Sequence, residues 1–219
     1  MQKFFLTLVA VAFLATAAFA QTASEEECEA TCEGTCPVAA AMEQLPKMTY
    51  KVGEESTCCS ASAKALATEQ DAAVLFVVAE KEYTDEVEAM SALADVTEEF
   101  VDDFTNVSTC EFSGTTSLAG EKMHCSESAG KIAEAMKSAM DEVQVSFVVG
   151  DESCACPNKA KALADESGEK MQFVIGEEST CCSIDARIKV AHAKYRAALE
   201  AFVQANAPSE ETEAESVES

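Results

Sequence analysis

The chain has 219 residues, with 40 acidic against 15 basic side chains, a net charge of −25, 11 cysteines and no tryptophan. That charge repels phosphate and excludes nucleic acid as a partner. With 8 Gly and 4 Pro the chain is not collagen, and 48% hydrophobic residues exclude wholesale disorder. The length can bury a core in one or two domains.

Residues 1–20 read as a secretory signal peptide. Lys3 is the basic start, Phe4 to Phe19 is apolar, and Ala18-Phe19-Ala20 is a small-x-small cleavage site before Gln21. The apolar run is shorter than a spanning helix of roughly 20 residues. The expected location is therefore secreted or periplasmic, with no membrane association after signal cleavage. The remaining acidic surface attracts metal ions or other cations. In an oxidising compartment disulfides are the default state of cysteine. The odd count leaves at least one thiol free, bound, or available to a protein partner or a disulfide-linked dimer.

Residues 21–47 form a Cys-rich acidic leader. Cys28, Cys32 and Cys36 recur at four-residue spacing among glutamates. They read as a disulfide staple to the folded body or, alternatively, as a metal-capturing arm.

Residues 48–105 and 144–206 are two copies of one sequence. Val52-Gly53 returns as Val149-Gly150, and Cys59 as Cys156. Ala63-Lys64-Ala65-Leu66-Ala67 returns as Ala160-Lys161-Ala162-Leu163-Ala164. Each copy holds two smaller units: a short strand, a turn such as Val52-Gly53-Glu54-Glu55, a second strand, and an Ala-rich helix. Val78-Ala79-Glu80-Lys81 is a degenerate turn of this kind. Residues 106–143 insert a divergent hairpin–helix unit, with Ala119-Gly120 at its turn. Residues 207–219 are an acidic tail that composition marks as disordered. The fold class expected is α+β: duplicated β-hairpin–helix (ββα) units, with antiparallel sheets carrying Ala-rich helices on one face.

Aligning the units on their turns places Cys59, Asp85, Ser126, Cys156 and Cys182 at the last position before each helix. Asp and Ser are favoured N-caps, so the cysteines should sit at helix starts, where the helix dipole favours a thiolate. Strand alternation would send Cys58 and Cys59, or Cys181 and Cys182, to opposite faces. It would put Cys154 and Cys156 on the same face, the best local candidate for a soft metal site. His124 and Cys125, near Cys110, are a further group of potential ligands. The candidate metal ligands are thus Cys58, Cys59, Cys125, Cys154, Cys156, Cys181, Cys182 and His124, with copper or zinc as the implied ion. Otherwise these cysteines are disulfide partners. A disulfide contributes about 2–4 kcal/mol, a complete structural zinc site about 10–16 kcal/mol.

FVVGDESCACP and YKVGEESTCC resemble the YHS/TRASH-like hairpin–helix metal-binding modules. The resemblance implies metal handling by Cys58, Cys59, Cys154, Cys156, Cys181 and Cys182. The spaced cysteine pair usual in those modules is missing here. The overall pattern is similar to secreted cysteine-rich repeat proteins of bacteria, planctomycete-like ones especially, which implies no activity.

The chain has two histidines and no nucleophile motif such as G-x-S-x-G, so it reads as no enzyme, with neither catalytic nor cofactor-binding residues. The function expected is an exported disulfide-stabilised structural or interaction protein. The alternatives are a thiol-based binder of soft or borderline metal ions and, behind it, a thiol oxidoreductase through Cys154 and Cys156.

Overall fold

The structure is a computed structural model that describes residues 37–207. The readings for the signal segment, for Cys28, Cys32 and Cys36, and for the tail from residue 208 lie outside the described residues. A short helix, α1 (Pro37–Met42), precedes the first copy and belongs to what the sequence reads as leader.

The first copy runs β1 (Thr49–Val52), β2 (Glu55–Thr57), α2 (Ser60–Gln70), β3 (Val74–Val78), β4 (Lys81–Tyr83) and α3 (Glu86–Phe104). Its two hairpins join through their first strands into an antiparallel sheet of order β2-β1-β3-β4, with Tyr50 opposite Phe76. The alternating pattern of β1 and β3 puts Tyr50, Val52, Phe76 and Val78 on one face. Val52 and Val78 are fully buried there. Both helices lie on that face, so the copy is an α+β layer pair of the expected kind.

The insert contributes β5 (Ser108–Thr109), β6 (Thr116–Leu118), β7 (Glu121–Met123) and α4 (Ser126–Asp141). Here β6, β7 and α4 form the repeating unit, and β5 adds a third strand in the order β5-β6-β7. The second copy runs β8 (Val145–Val149), β9 (Glu152–Cys154), α5 (Pro157–Ser167), β10 (Met171–Ile175), β11 (Glu178–Thr180) and α6 (Ser183–Ala205). Its sheet order, β11-β10-β8-β9, is built like the first.

The turns divide into two kinds. Gly53 has φ +59° and is followed by a residue of ordinary φ, the signature of a type II′ hairpin; Gly150 and Gly176 repeat the value. The degenerate turn puts Ala79 at φ +46° and Glu80 at +67°, and Ala119-Gly120 does likewise at +53° and +77°. Two positive φ angles in succession match type I′, which Ala and Glu adopt at a cost. With alanine in place of glycine at the first loop position, the turn is type I′ and the loop still has two residues.

The main core gathers α1, α3, α4, α6 and β6 around Tyr195, Met136, Leu118 and Val101. Tyr195 meets Phe100 and Phe104 edge-on, with centroids 5.3 and 4.7 Å away, and its hydroxyl donates to the Ala41 carbonyl at 3.4 Å. Each such aromatic contact adds about 0.5–1.5 kcal/mol beyond burial. Two basic residues of α6 pair with acidic neighbours in the fold. Arg187 clamps Glu98 through two nitrogens (3.0 and 2.6 Å) and reaches Asp95 at 2.7 Å, while Lys189 pairs with Glu178.

Candidate functional site

The five hairpin–helix junctions share one register. In every unit the second strand is three residues long, two residues on comes the N-cap, and four residues after the cap comes an alanine. The caps are Cys59, Asp85, Cys125, Cys156 and Cys182. The alanines are Ala63, Ala89, Ala129, Ala160 and Ala186, all buried. Each alanine amide donates to its cap's carbonyl over 2.9–3.2 Å, the first bond of the helix. A methyl group at this point lets the first helical turn lie close on the sheet. Sequence alignment on the turn assigned the divergent unit's cap to Ser126. The structure moves it to Cys125, because only that register puts Ala129 under the helix. The signal was legible in the repeated cap-x-x-x-Ala spacing.

Four of the five caps are thus thiols. Asp85 caps in the ordinary way, its Oδ1 accepting from the Glu88 amide at 2.9 Å. The Cys125 sulfur takes the same role, accepting from the Ser128 amide at 3.3 Å and lying 3.1 Å from the Ser128 hydroxyl. The Ser128 hydroxyl, and then its amide, hold the Cys125 thiol below its ordinary value. The Cys59 side chain makes no capping hydrogen bond, yet the nearby Ser62 amide, aided by the Ser62 hydroxyl, also lowers its thiol. Partial positive charge at a helix start favours the thiolate in both cases.

The flanking residues are fixed locally. The Cys59 amide donates to Thr57 Oγ1 and the Cys182 amide to Thr180 Oγ1, each at 3.2 Å. Strands β2 and β11 end at those threonines, so Cys58 and Cys181 lie beyond the pleat. Strand alternation therefore does not separate them from Cys59 and Cys182, contrary to the sequence reading. The expectation for Cys154 and Cys156 is also corrected. Strand β9 ends at Cys154, whose half-buried side chain joins the core with Phe147, while Cys156 is exposed at the cap. The Cys154 thiol turns to the Cys156 carbonyl at 3.6 Å.

The architecture keeps the junctions apart. In each copy the two hairpins run antiparallel, so their second strands occupy opposite edges of the sheet and end at opposite ends. Cys156 and Cys182 stand at diagonal corners, across three interstrand spacings or about 14 Å. Among the described residues no group of three or more His, Cys, Asp or Glu side chains is placed to hold a metal ion. Nor do the cysteines pair: Cys58, Cys59, Cys110, Cys125, Cys154, Cys156, Cys181 and Cys182 are all free, and all but Cys154 are exposed. The candidate ligands, His124 included, are thus not gathered into one centre, nor the cysteines into disulfides, within residues 37–207.

Sequence reasoning grouped Cys110 with His124 and Cys125 and passed over its serine neighbour. Cys110 sits at the tip between β5 and β6, where its carbonyl accepts from the Gly114 amide at 2.8 Å. The Ser113 hydroxyl, then its amide, lower the Cys110 thiol. Two residues on, the Phe112 ring is wholly exposed. The Cys-x-x-Ser spacing, which recurs at Cys59–Ser62 and Cys125–Ser128, was the available signal.

Comparison with known proteins finds no family model, no curated protein and no solved structure that matches this chain.

Proposed function

We propose that this is an exported interaction protein that uses its exposed thiols for bonds outside its own fold, chiefly intermolecular disulfides. The observation that carries the reading is that seven of the eight described cysteines are exposed and none has a partner cysteine among the described residues. The expected internal disulfide stabilisation is accordingly replaced: apolar packing around Tyr195 and the two sheets holds these residues together. The chemistry is thiol–disulfide exchange. A thiolate such as Cys125, its proton already released to water, attacks one sulfur of a partner's disulfide. A mixed disulfide forms and the other sulfur leaves as thiolate. Hydrogen bonds from Ser62, Ser113 and Ser128 favour the attacking form of Cys59, Cys110 and Cys125.

The test is the intact mass of protein recovered from an exporting host, with thiols alkylated before and after reduction. Mixed disulfides or covalent oligomers that collapse to the monomer on reduction are expected. A monomer with its cysteines paired internally overturns the reading.

A second reading, binding of copper or zinc, is favoured by one observation. Thr-Cys-Cys-Ser occurs twice, at Thr57–Ser60 and Thr180–Ser183, with the same threonine hydrogen bond. Two adjacent thiols suit a soft ion but complete no tetrahedral zinc site. Further ligands would come from Cys28, Cys32 and Cys36 or from a second chain. Native mass of the reduced protein with added Cu(I) or Zn(II), compared with Cys58→Ser/Cys59→Ser, tests it; no bound metal, or equal loading of both proteins, counts against it.

A further inference from the structure

The two copies differ in how their sheets meet the long helix. In the first copy, Val78 of the sheet packs with Ala89, Leu93 and Ala94 of α3 in one cluster that also includes Met48 and Phe76. In the second, the sheet's cluster of Phe147, Val149 and Ala160 contains no residue of α6. Although α6 packs on β10 and β11, a cleft of about 410 Å³ remains beside that contact, with Val145, Phe147, Phe173 and Val190 among its walls.

The aligned walls differ between the copies, and in the first copy Ile184 and Ile188 of α6 also pack against the cluster. Met48 and Leu93 of the first copy align with Val145 and Val190 of the second, so larger side chains are replaced by valine on both sides of the gap. The mouth changes as well. Met90 and Thr97 align with Arg187 and Lys194, both of which line the cleft. Arg187 is committed to Glu98 and Asp95. Lys194 enters none of the ion pairs among the described residues. Glu98 and Asp102 also border the cleft; Glu98 is neutralised by Arg187, which leaves Asp102 as the competing carboxylate. An unpaired ammonium at the mouth of an apolar cleft is notable in a chain of net charge −25.

We infer that this cleft is a binding site for a small monocarboxylate with an aromatic or branched apolar body. The apolar end lies against Phe147 and Phe173 and the carboxylate meets Lys194. The volume falls in the range of small-molecule pockets, roughly 300–1,000 Å³. Burial of the body supplies the affinity, and the one cation supplies the preference for an acid. This site is independent of the thiols.

The probe is 4-phenylbutyrate, titrated against the full chain by calorimetry and by methyl NMR shifts, beside its neutral analogue 4-phenylbutanamide. The acid should bind with a Kd on the order of 0.1–1 mM and the amide about tenfold more weakly. Val145→Met/Val190→Leu restores the residues of the first copy, fills part of the cleft beside the phenylalanines and should weaken the acid at least about tenfold. Lys194→Thr puts the first copy's residue at this position; it should leave amide binding unchanged and abolish the preference for the acid. No saturable binding by the unaltered protein, equal affinity for acid and amide, or unchanged binding in the filled variant overturns the inference. Should the double variant not fold, Lys194→Thr decides it alone: a persisting preference for the acid overturns it.

Discussion

The sulfur of Cys125 accepts a hydrogen bond from the Ser128 amide at 3.3 Å, and so does for α4 what Asp85 does for α3. A thiol is a weak acceptor and a thiolate a strong one. Capping and reactivity are therefore linked at this residue, since the interaction that starts the helix also favours the nucleophilic form.

The first prediction follows from that link. Cys59, Cys110 and Cys125 have lowered thiols, so each should alkylate with a pH midpoint below that of an ordinary cysteine. Because folding lowers these values, the associated stability is fully present above the unfolded thiol's value. It is lost as the pH falls through the folded one. Rates of iodoacetamide labelling against pH, read by peptide mass, check this. Ser128→Ala should raise the Cys125 midpoint and leave that of Cys59 unchanged.

The five buried alanines predict a position-specific intolerance. Ala129→Leu should cost about 1–3 kcal/mol by overpacking the contact of α4 with its sheet. Ala135→Leu, on the exposed side of the same helix, should stay within about 0.5 kcal/mol of the original. Urea unfolding followed by circular dichroism separates them, and equal effects would remove the alanine from the motif.

The type I′ turns predict an easy gain. Ala79→Asn with Glu80→Gly puts the preferred pair at two positive φ angles. The expected stabilisation is about 1 kcal/mol, or a Tm rise of about 2–4 °C for a chain of this size. An unchanged or lower Tm would contradict the turn assignment.

His192 predicts a dependence on pH. Its Nε2 is buried without a hydrogen-bond partner, and burial lowers its titration against the opposing pull of Glu178. Lys189 and Arg196 push the same way as burial, whereas Asp185 opposes it. A histidine held neutral by the fold favours the folded state above its unfolded value, near pH 6.5. That contribution fades as the pH falls through the folded value. Urea midpoints should decline from about pH 7 to 5 in the parent and less in His192→Gln. Parallel profiles would assign the decline to other groups.

Much of this fold is legible along the chain. The hairpin turns and the apolar stripe of α3 are local patterns, and each became the expected element. Cys59, Cys156 and Cys182 were assigned to helix starts for the same reason. The extra strand β5 was not foreseen, because Ser108–Thr109 is too short and polar to carry a strand signal.

The candidate site divides along the same line. Spacing within a unit belongs to the sequence: which residue caps, which alanine follows, and which serine stands three residues on. Whether thiols from different units meet is set by packing. Antiparallel pairing of β1 with β3, and of β8 with β10, sends successive junctions to opposite corners, so cysteines that look like one ligand set stay separate. The cleft beside Phe147 is likewise invisible along the chain. Its walls come from α3, α6, β8 and β10, which are distant along the chain. Local hydrogen bonding and periodicity act over a few residues and are written in the sequence. Proximity between distant residues depends on how the two hairpins of each copy pair, and only the tertiary structure decides that.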